Sequence, residues 1–250
     1  AQNRIRNKRH ASSRANQLAN LLLRVFVVLL LSLHHNSSSE SSADEAPTHT
    51  LSEIHANFTT NNNGKPVYAA LPYSFNLSNC CNGSSNLTSM VVINSTSQIG
   101  IDLAHSNDIP VQSDLLLEFE AIFHPREYAS IQDYLAPTKA SLPADGRNSS
   151  TSSSLLAQFW ALKESLSKLL GTGLVGIDLP SYGFSFDIES FNKASSAVWF
   201  TNINLLHNNT PLDYSIFLRQ ISDGMYCSII HEASELGCAE ADKKCESRLC

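Results

Sequence analysis

The sequence predicts an α+β protein in which a mixed or antiparallel sheet packs against two or three helices. Three patterns support this class. Short segments rich in branched and aromatic residues are typical of strands, one long stretch carries leucines at helical spacing, and the order of these segments does not follow a regular βαβ repeat. An N-terminal hydrophobic helix and a disordered stalk are expected to precede this unit.

A hydrophobic run occupies residues 18–33 and follows a basic flank at residues 1–17. This arrangement is typical of a secretory signal, and two interpretations stay open: a cleaved signal peptide or a retained signal-anchor helix. At about 1.5 Å per residue the run is shorter than the roughly 30 Å hydrocarbon core of a bilayer. The basic flank predicts that residues from about 34 onward are extracytoplasmic, in a membrane-bound or secreted protein.

The charge distribution argues against nucleic-acid binding. The formal net charge is −6 and the N-terminal segment is basic, so the rest of the chain is more acidic than the total indicates. An acidic body does not neutralise nucleic-acid phosphates, and the predicted membrane topology accounts for the basic segment. The expected partners are the membrane, through the N-terminal helix, and protein or lipid partners.

Eight N-x-Ser/Thr triplets follow the hydrophobic run and are predicted to carry glycans in the secretory pathway. Their asparagines are Asn36, Asn57, Asn76, Asn82, Asn86, Asn94, Asn148 and Asn208. The even number of cysteines predicts disulfide bonds in the same compartment. They are Cys80, Cys81, Cys227, Cys238, Cys245 and Cys250. Neighbouring Cys80 and Cys81 lie too close in sequence to pair with each other, so at least one should reach the C-terminal cluster.

Composition divides the chain further. Residues 34–66 are rich in Ser, Thr and Asn and predict a solvated stalk, residues 67–226 an extracytoplasmic α+β domain, and residues 227–250 a cysteine-containing tail. Within the domain, SMVVINS and QIGIDLA predict the first two strands.

The alternation in DLLLEFEAIF predicts a half-buried strand with Phe119 and Phe123 on one face and Glu118 and Glu120 on the solvated face. A short helix should begin at Pro125 and stop before Pro137.

The clearest predicted helix follows a loop and is capped near Ser153. Gly171 supplies its left-handed C-terminal position. Its apolar stripe is assigned to the core and consists of Leu155, Phe159, Leu162, Leu166 and Leu169.

Three further strands are predicted from GLVGIDL, YGFSFDI and SSAVWFTNI. Thr210 and Pro211 then resemble the start of a capped helix. The buried side of that helix would carry Ile216, Phe217, Ile221, Met225 and Ile229.

Two motifs are interpreted as structural. Gly171, Gly173 and Gly176 form G-x-G-x-x-G, but these glycines end a helix instead of opening one, so they predict a turn and no dinucleotide loop. His231 and Glu235 are one helical turn apart but lack the second histidine of a zinc hydrolase, so an exposed helix end is favoured. No catalytic, metal or cofactor residue is predicted.

The stretch 197–220, AVWFTNINLLHNNTPLDYSIFLRQ, resembles part of the large extracytoplasmic loop of A-subfamily, lipid-exporting ABC transporters. The matching positions are Trp199, Phe200, Asn202, His207 and Pro211. The resemblance implies a loop that shapes a lipid path in a membrane assembly.

The favoured hypothesis is a non-enzymatic, glycosylated extracytoplasmic domain that acts in binding or membrane assembly. Two alternatives stay open: a loop fragment of an ABC lipid transporter, and a secreted enzyme whose site residues lie too far apart in sequence to be recognised.

Overall fold

The computed structural model describes residues 58–62, 65–68, 74–82, 86–94, 97–109, 119–140, 147–194, 196 and 198–233, together with Leu21 and Val25, which are helical. The strands are β1 (Phe58–Thr60), β2 (Pro66–Tyr68), β3 (Ser74–Asn82), β4 (Asn86–Asn94), β5 (Ile99–His105), β6 (Tyr182–Ser185), β7 (Asn204–His207), β8 (Thr210–Leu212), β9 (Tyr214–Ser222) and β10 (Met225–Glu232). The helices are α1 (Pro125–Ala140), α2 (Arg147–Leu170) and α3 (Ile188–Lys193).

All strand pairs in the described ranges are antiparallel, and they form four small sheets. The sheet that matters most for function has the order β5-β10-β9. The others are β1-β2, β3-β4 and β6-β7-β8. The predicted α+β class with antiparallel sheets and up to three helices is therefore confirmed.

Helix α2 packs on one face of the β5-β10-β9 sheet. Its predicted apolar stripe from Leu155 to Leu169 is buried, and Gly171 ends the helix with φ of 66°, as predicted. On the other face of the sheet, a second apolar cluster contains Cys80, Ile99, Ile101, Leu103, Met225, Cys227 and Ile229. Both faces of the sheet are thus buried, and only strand ends and edges can present a site.

The contact between α2 and β5 depends on Gly100. A Cβ atom at this position would clash with the carbonyl oxygen of Ser165 and lie 2.7 Å from the backbone nitrogen of Leu169. Only glycine therefore lets the helix backbone approach the strand this closely. The close approach places the end of α2 directly over β5, two residues before Asp102.

The predicted helix starting at Thr210 is wrong. This region forms β8 and then the β9–β10 hairpin, whose turn contains Asp223 and Gly224, the latter with φ of 66°. An Asp-Gly pair between two apolar segments is a hairpin signal. Ile216 and Leu218 are buried on the same side of β9, which is the spacing of a strand.

Other element predictions succeed in part. The strands in SMVVINS and QIGIDLA are confirmed as β4 and β5, and YGFSFDI contains β6. The strand predicted in DLLLEFEAIF is wrong where the structure describes it, because Phe119 and Glu120 are helical and the amide of Phe123 donates to the carbonyl of Phe119.

Two further strand predictions are also wrong. The first stretch, 173–179, forms turns, and in the second Phe200 makes only an isolated bridge with Leu218. The short helix from Pro125 is confirmed, although its backbone continues through Pro137 to Ala140.

The hydrophobic run at 18–33 lies outside the described residues apart from Leu21 and Val25. Among the helices that the structure describes, none is both long enough and apolar enough to span a membrane. Strand β1 falls within the stretch predicted as a stalk, and β10 crosses the predicted boundary between residues 226 and 227. The domain boundaries stay predictions.

Candidate active site

A buried carboxylate on β5 forms the centre of the candidate site. Oδ1 of Asp102 accepts a hydrogen bond from Ser78 Oγ at 2.9 Å and forms an ion pair with Lys168 Nζ at 2.5 Å. The backbone amide of Leu103 donates to Ser78 Oγ at 3.0 Å, which fixes the serine beside the strand. Oδ2 of Asp102 is also buried, yet it has no hydrogen-bond partner among the described residues.

Lys168 connects this cluster to the surface. Its side chain is 29% exposed, whereas that of Asp102 is 2% exposed. Its Nζ lies 3.1 Å from Ser78 Oγ as well, so one ammonium group contacts both partners of the inner cluster. A cation at the mouth and a carboxylate oxygen without a partner behind it suit a ligand that carries negatively charged phosphates and an accompanying metal cation.

Glu164 is a second buried carboxylate near this cluster. It lies on α2 four residues before Lys168, and side chains at this separation lie on the same helix face about 5–6 Å apart at Cβ. Helix α2 therefore presents an acid and a base in sequence along the face that carries the ion pair to Asp102.

A second ion pair lies deeper in the fold and supports α2. Lys163 Nζ lies 2.8 Å from Glu127 Oε2, and both side chains are 0% exposed. The carboxylate also accepts the backbone amides of His124 at 2.8 Å and Phe184 at 2.7 Å. The pair therefore ties α1, α2 and β6 together.

The ammonium group of Lys163 is fully used. Besides Glu127, it donates to the carbonyl oxygens of Leu179, at 3.0 Å, and Tyr182. Burial lowers the pKa of Lys163, and burial also raises the pKa of Glu127, while the attraction between the two opposes both shifts. Because Lys163 directly precedes Glu164, this pair fixes the rotation of α2 that orients the candidate site.

A cavity of about 350 Å³ lies beyond Lys168, at the C-terminal end of α2. It is lined by Asn61, Lys65, Gln98, Leu169, Leu170, Gly171, Tyr214 and Glu232. Nζ of Lys65 donates to Gln98 Oε1 at 3.2 Å, and burial lowers the pKa of this lysine. Asn76 joins the cavity to the cluster, because its Nδ2 donates to the carbonyls of Ile99 and Lys168.

The asparagines predicted to carry glycans occupy different environments. Asn76 is buried with its Nδ2 engaged, whereas Asn208 is exposed in the turn between β7 and β8. Asn82, Asn86 and Asn94 lie in the β3–β4 pair and Asn148 lies in α2. Asn36 and Asn57 lie outside the described residues. All eight sites stay predictions.

The predicted disulfide cysteines are likewise untested. Cys80 is buried and its Sγ donates to Asp108 Oδ2 at 3.4 Å, and Cys81 lies next to it in β3. Burial, with a smaller contribution from the charge of Asp102, raises the pKa of the Cys227 thiol to about 12. The remaining three, Cys238, Cys245 and Cys250, lie outside the described residues.

Sequence reasoning missed the residues that the fold brings together: Ser78, Asp102, Glu164 and Lys168. One signal was present. The helix at 153–170 carries Lys163, Glu164 and Lys168 among leucines, and charged residues inside a buried helix are rare unless they are paired or functional. Ser78 and Asp102 carry no comparable local signal, since each lies in a short strand.

Comparison with family models assigns a chemistry to this region. The model of the 4'-phosphopantetheinyl transferase superfamily matches residues 98–223, just over half of the chain. The match spans β5, α2 and most of β9, and therefore includes Asp102, Glu164 and Lys168. Comparison with curated proteins found no match to the chain.

This match corrects several predictions. The resemblance to an ABC transporter loop is wrong, because its positions from Trp199 to Pro211 fall inside the transferase match. In the structure, Phe200 bridges to β9 and His207 stacks on Tyr182 in the small β6-β7-β8 sheet. A short pattern of aromatic, Asn and Pro residues reflects strands and turns here.

The predicted non-enzymatic, glycosylated ectodomain is wrong as a function, because the matched family consists of transferases. The two alternatives, a transporter loop and a secreted enzyme, gain no support either. The membrane and lipid partners expected from the N-terminal run are also wrong, since this family acts on carrier proteins. The extracytoplasmic location stays a prediction.

Proposed function

The chain belongs to the 4'-phosphopantetheinyl transferase superfamily, and we propose that it transfers the 4'-phosphopantetheine group of coenzyme A to a serine of a carrier protein. The observation that carries this proposal is the position of the family match. It covers the buried Asp102–Lys168 pair together with Glu164, the charged cluster that reaches the surface through Lys168.

The reaction replaces one phosphate ester bond by another. The serine oxygen of the carrier attacks the phosphorus that bears the pantetheine arm, and the bond to the bridging pyrophosphate oxygen breaks. Adenosine 3',5'-bisphosphate leaves, and the serine proton passes to Glu164, the second buried carboxylate of this helix face. Phosphoryl transfer depends mainly on positioning and on stabilisation of negative charge, which Lys168 supplies at the mouth of the site.

The residues present also fit a divalent cation. Oδ2 of Asp102 is a buried carboxylate oxygen with no partner in the described part of the chain, and hard cations such as Mg²⁺ bind oxygen ligands. Mg²⁺ is commonly held by one or two carboxylates and completed by water and substrate phosphates, so Asp102 would hold it against the pyrophosphate. When bound, the cation would neutralise charge on the phosphates.

The cavity beyond Lys168 supports a ligand larger than the pyrophosphate. Its lining combines the ammonium of Lys65 with the amides of Asn61 and Gln98, which can contact a polar, charged ligand. Coenzyme A offers such groups along its whole length. The cavity and the cluster share the end of α2, so one donor molecule can occupy both.

A mass-spectrometric transfer assay tests the proposal. The purified protein is incubated with coenzyme A, Mg²⁺ and an apo carrier protein, of both the acyl and the peptidyl type, and the carrier should gain the mass of one phosphopantetheine group. Asp102→Asn, Glu164→Gln and Lys168→Gln should each lower kcat/KM by about 10²–10³-fold.

Lys193→Gln is the matched control for loss of a lysine charge. Lys193 pairs with Glu189 at 2.6 Å in an exposed i,i+4 bridge on α3, away from the cluster, so its replacement should leave the rate unchanged. Absence of transfer to both carrier types by folded protein would refute the proposed function. Equal activity of the Asp102→Asn variant and the unmodified protein would refute the site.

A further inference from the structure

Two buried oxygen atoms without partners face each other next to the candidate site. One is Oδ2 of Asp102 and the other is Oγ of Ser228, a residue that is 0% exposed. Neither atom has a hydrogen-bond partner in the described ranges. Ser228 lies on β10 directly opposite Asp102 in the antiparallel register of β10 and β5.

Both side chains point toward α2. On β5, Gly100 touches α2 and Ala104 belongs to its core cluster, so Asp102 between them has the same orientation. On β10, Tyr226 and Ile230 belong to that core cluster and lie on either side of Ser228. Directly opposed residues of an antiparallel pair have Cβ atoms about 4.5–5.5 Å apart, so the hydroxyl can reach the carboxylate by rotation about χ1.

The hydroxyl of Ser228 contributes little to the free protein. Its backbone carbonyl accepts a hydrogen bond from Ser165 Oγ at 3.0 Å, but its own hydroxyl is buried without a partner among the described residues. A buried polar group without a hydrogen bond destabilises the fold relative to alanine. A function in another state of the site accounts for a hydroxyl at this position.

Lys168 is the member of the cluster that can change partner. It is the exposed member of the ion pair, and its flexible side chain ends in a compact charge that attracts phosphate. When it turns to the phosphates of the donor, Oδ1 of Asp102 keeps only the hydrogen bond from Ser78. The carboxylate then needs another donor to keep its orientation.

We propose that Ser228 is this donor, a positioning residue whose hydroxyl binds Oδ2 of Asp102 in the ligand-loaded site and orients the carboxylate. This inference rests on the proposed function, because it assumes a phosphate-bearing ligand that draws Lys168 away. Carboxylates that hold cations are themselves oriented by hydrogen bonds, and loss of such an outer partner typically reduces metal affinity or activity by about 10–100-fold.

Ser228→Ala tests the proposal, with Ser153→Ala as its matched control. Ser153 is also buried and its hydroxyl also has no partner in the described part of the chain, but it lies on α2 about 22 Å from Lys168 along the helix axis. Both variants should melt at or above the temperature of the unmodified protein. Only Ser228→Ala should weaken Mg²⁺-dependent binding of coenzyme A, measured by calorimetry, and lower kcat, by about 10–100-fold.

Ser228→Thr keeps the hydroxyl and should retain most of the binding and the rate. The proposal is overturned if Ser228→Ala matches Ser153→Ala in both binding and rate, or if its losses come with a lower melting temperature. If the unmodified protein binds coenzyme A with Mg²⁺ but modifies no carrier, the transferase proposal fails while the binding data still decide the role of Ser228. If it binds no coenzyme A, both proposals fail.

Discussion

Replacing Lys163 by methionine should destabilise the protein by about 3–5 kcal/mol, because it leaves the Glu127 carboxylate buried without its counter-ion. Both side chains are completely buried, so water cannot replace the lost partner. The carbonyl oxygens of Leu179 and Tyr182 lose the same ammonium group. For a chain of this size, the loss corresponds to a decrease in melting temperature of about 6–20 °C.

The dependence on pH identifies the cause. Burial raises the pKa of Glu127, and without Lys163 the opposing attraction is gone, so the carboxyl should bind a proton in the folded variant well above its unfolded pKa. The stability that this proton gives is complete below the unfolded pKa and is lost as pH rises through the folded pKa. The deficit of Lys163→Met relative to the unmodified protein should therefore shrink as pH is lowered from 7 toward 5.

Thermal melts by circular dichroism measure both effects, and Lys193→Met provides the comparison. Its partner Glu189 is exposed, so no measurable change is expected from that variant. A Glu127→Leu, Lys163→Met double variant should recover part of the loss, because no unpaired charge remains buried. A melting temperature for Lys163→Met equal to that of Lys193→Met would show that the pair does not stabilise α2.

Two further predictions concern the sheet that carries Asp102. Gly100→Ala should destabilise the fold by about 1–3 kcal/mol and lower transfer activity, because the added Cβ clashes with the carbonyl of Ser165 and displaces α2; unchanged melting and activity would contradict the close contact. Cys227 should resist iodoacetamide at pH 8 in native protein and react after denaturation without reductant, because burial raises its pKa to about 12; native labelling detected by peptide mapping would contradict this.

Local patterns determined part of the fold. The leucine and phenylalanine spacing from Leu155 to Leu169 predicted a buried helix and Gly171 predicted its end, because both features depend only on helical periodicity and on the conformational freedom of glycine. The branched residues of β4 and β5 predicted strands for a similar reason.

The segment from Thr210 to Glu232 shows where such patterns fail. Phe217, Ile221 and Met225 recur at helical spacing, yet the chain forms a hairpin. Pairing of β10 with β5 buries Ile229 and Ile230 against different clusters, and that choice depends on a strand more than a hundred residues earlier. Tertiary contacts therefore override the local period.

The candidate site depends even more on tertiary structure. Asp102 and Lys168 are 66 residues apart in sequence, and each by itself has an ordinary local context. The absence of a Cβ atom at Gly100 lets α2 approach β5, and this approach turns two separate residues into a buried ion pair beside a free carboxylate oxygen. By itself, the sequence determined the α+β class and the central helix. The tertiary structure decided which charges meet, because electrostatic interactions depend on distance and burial in space.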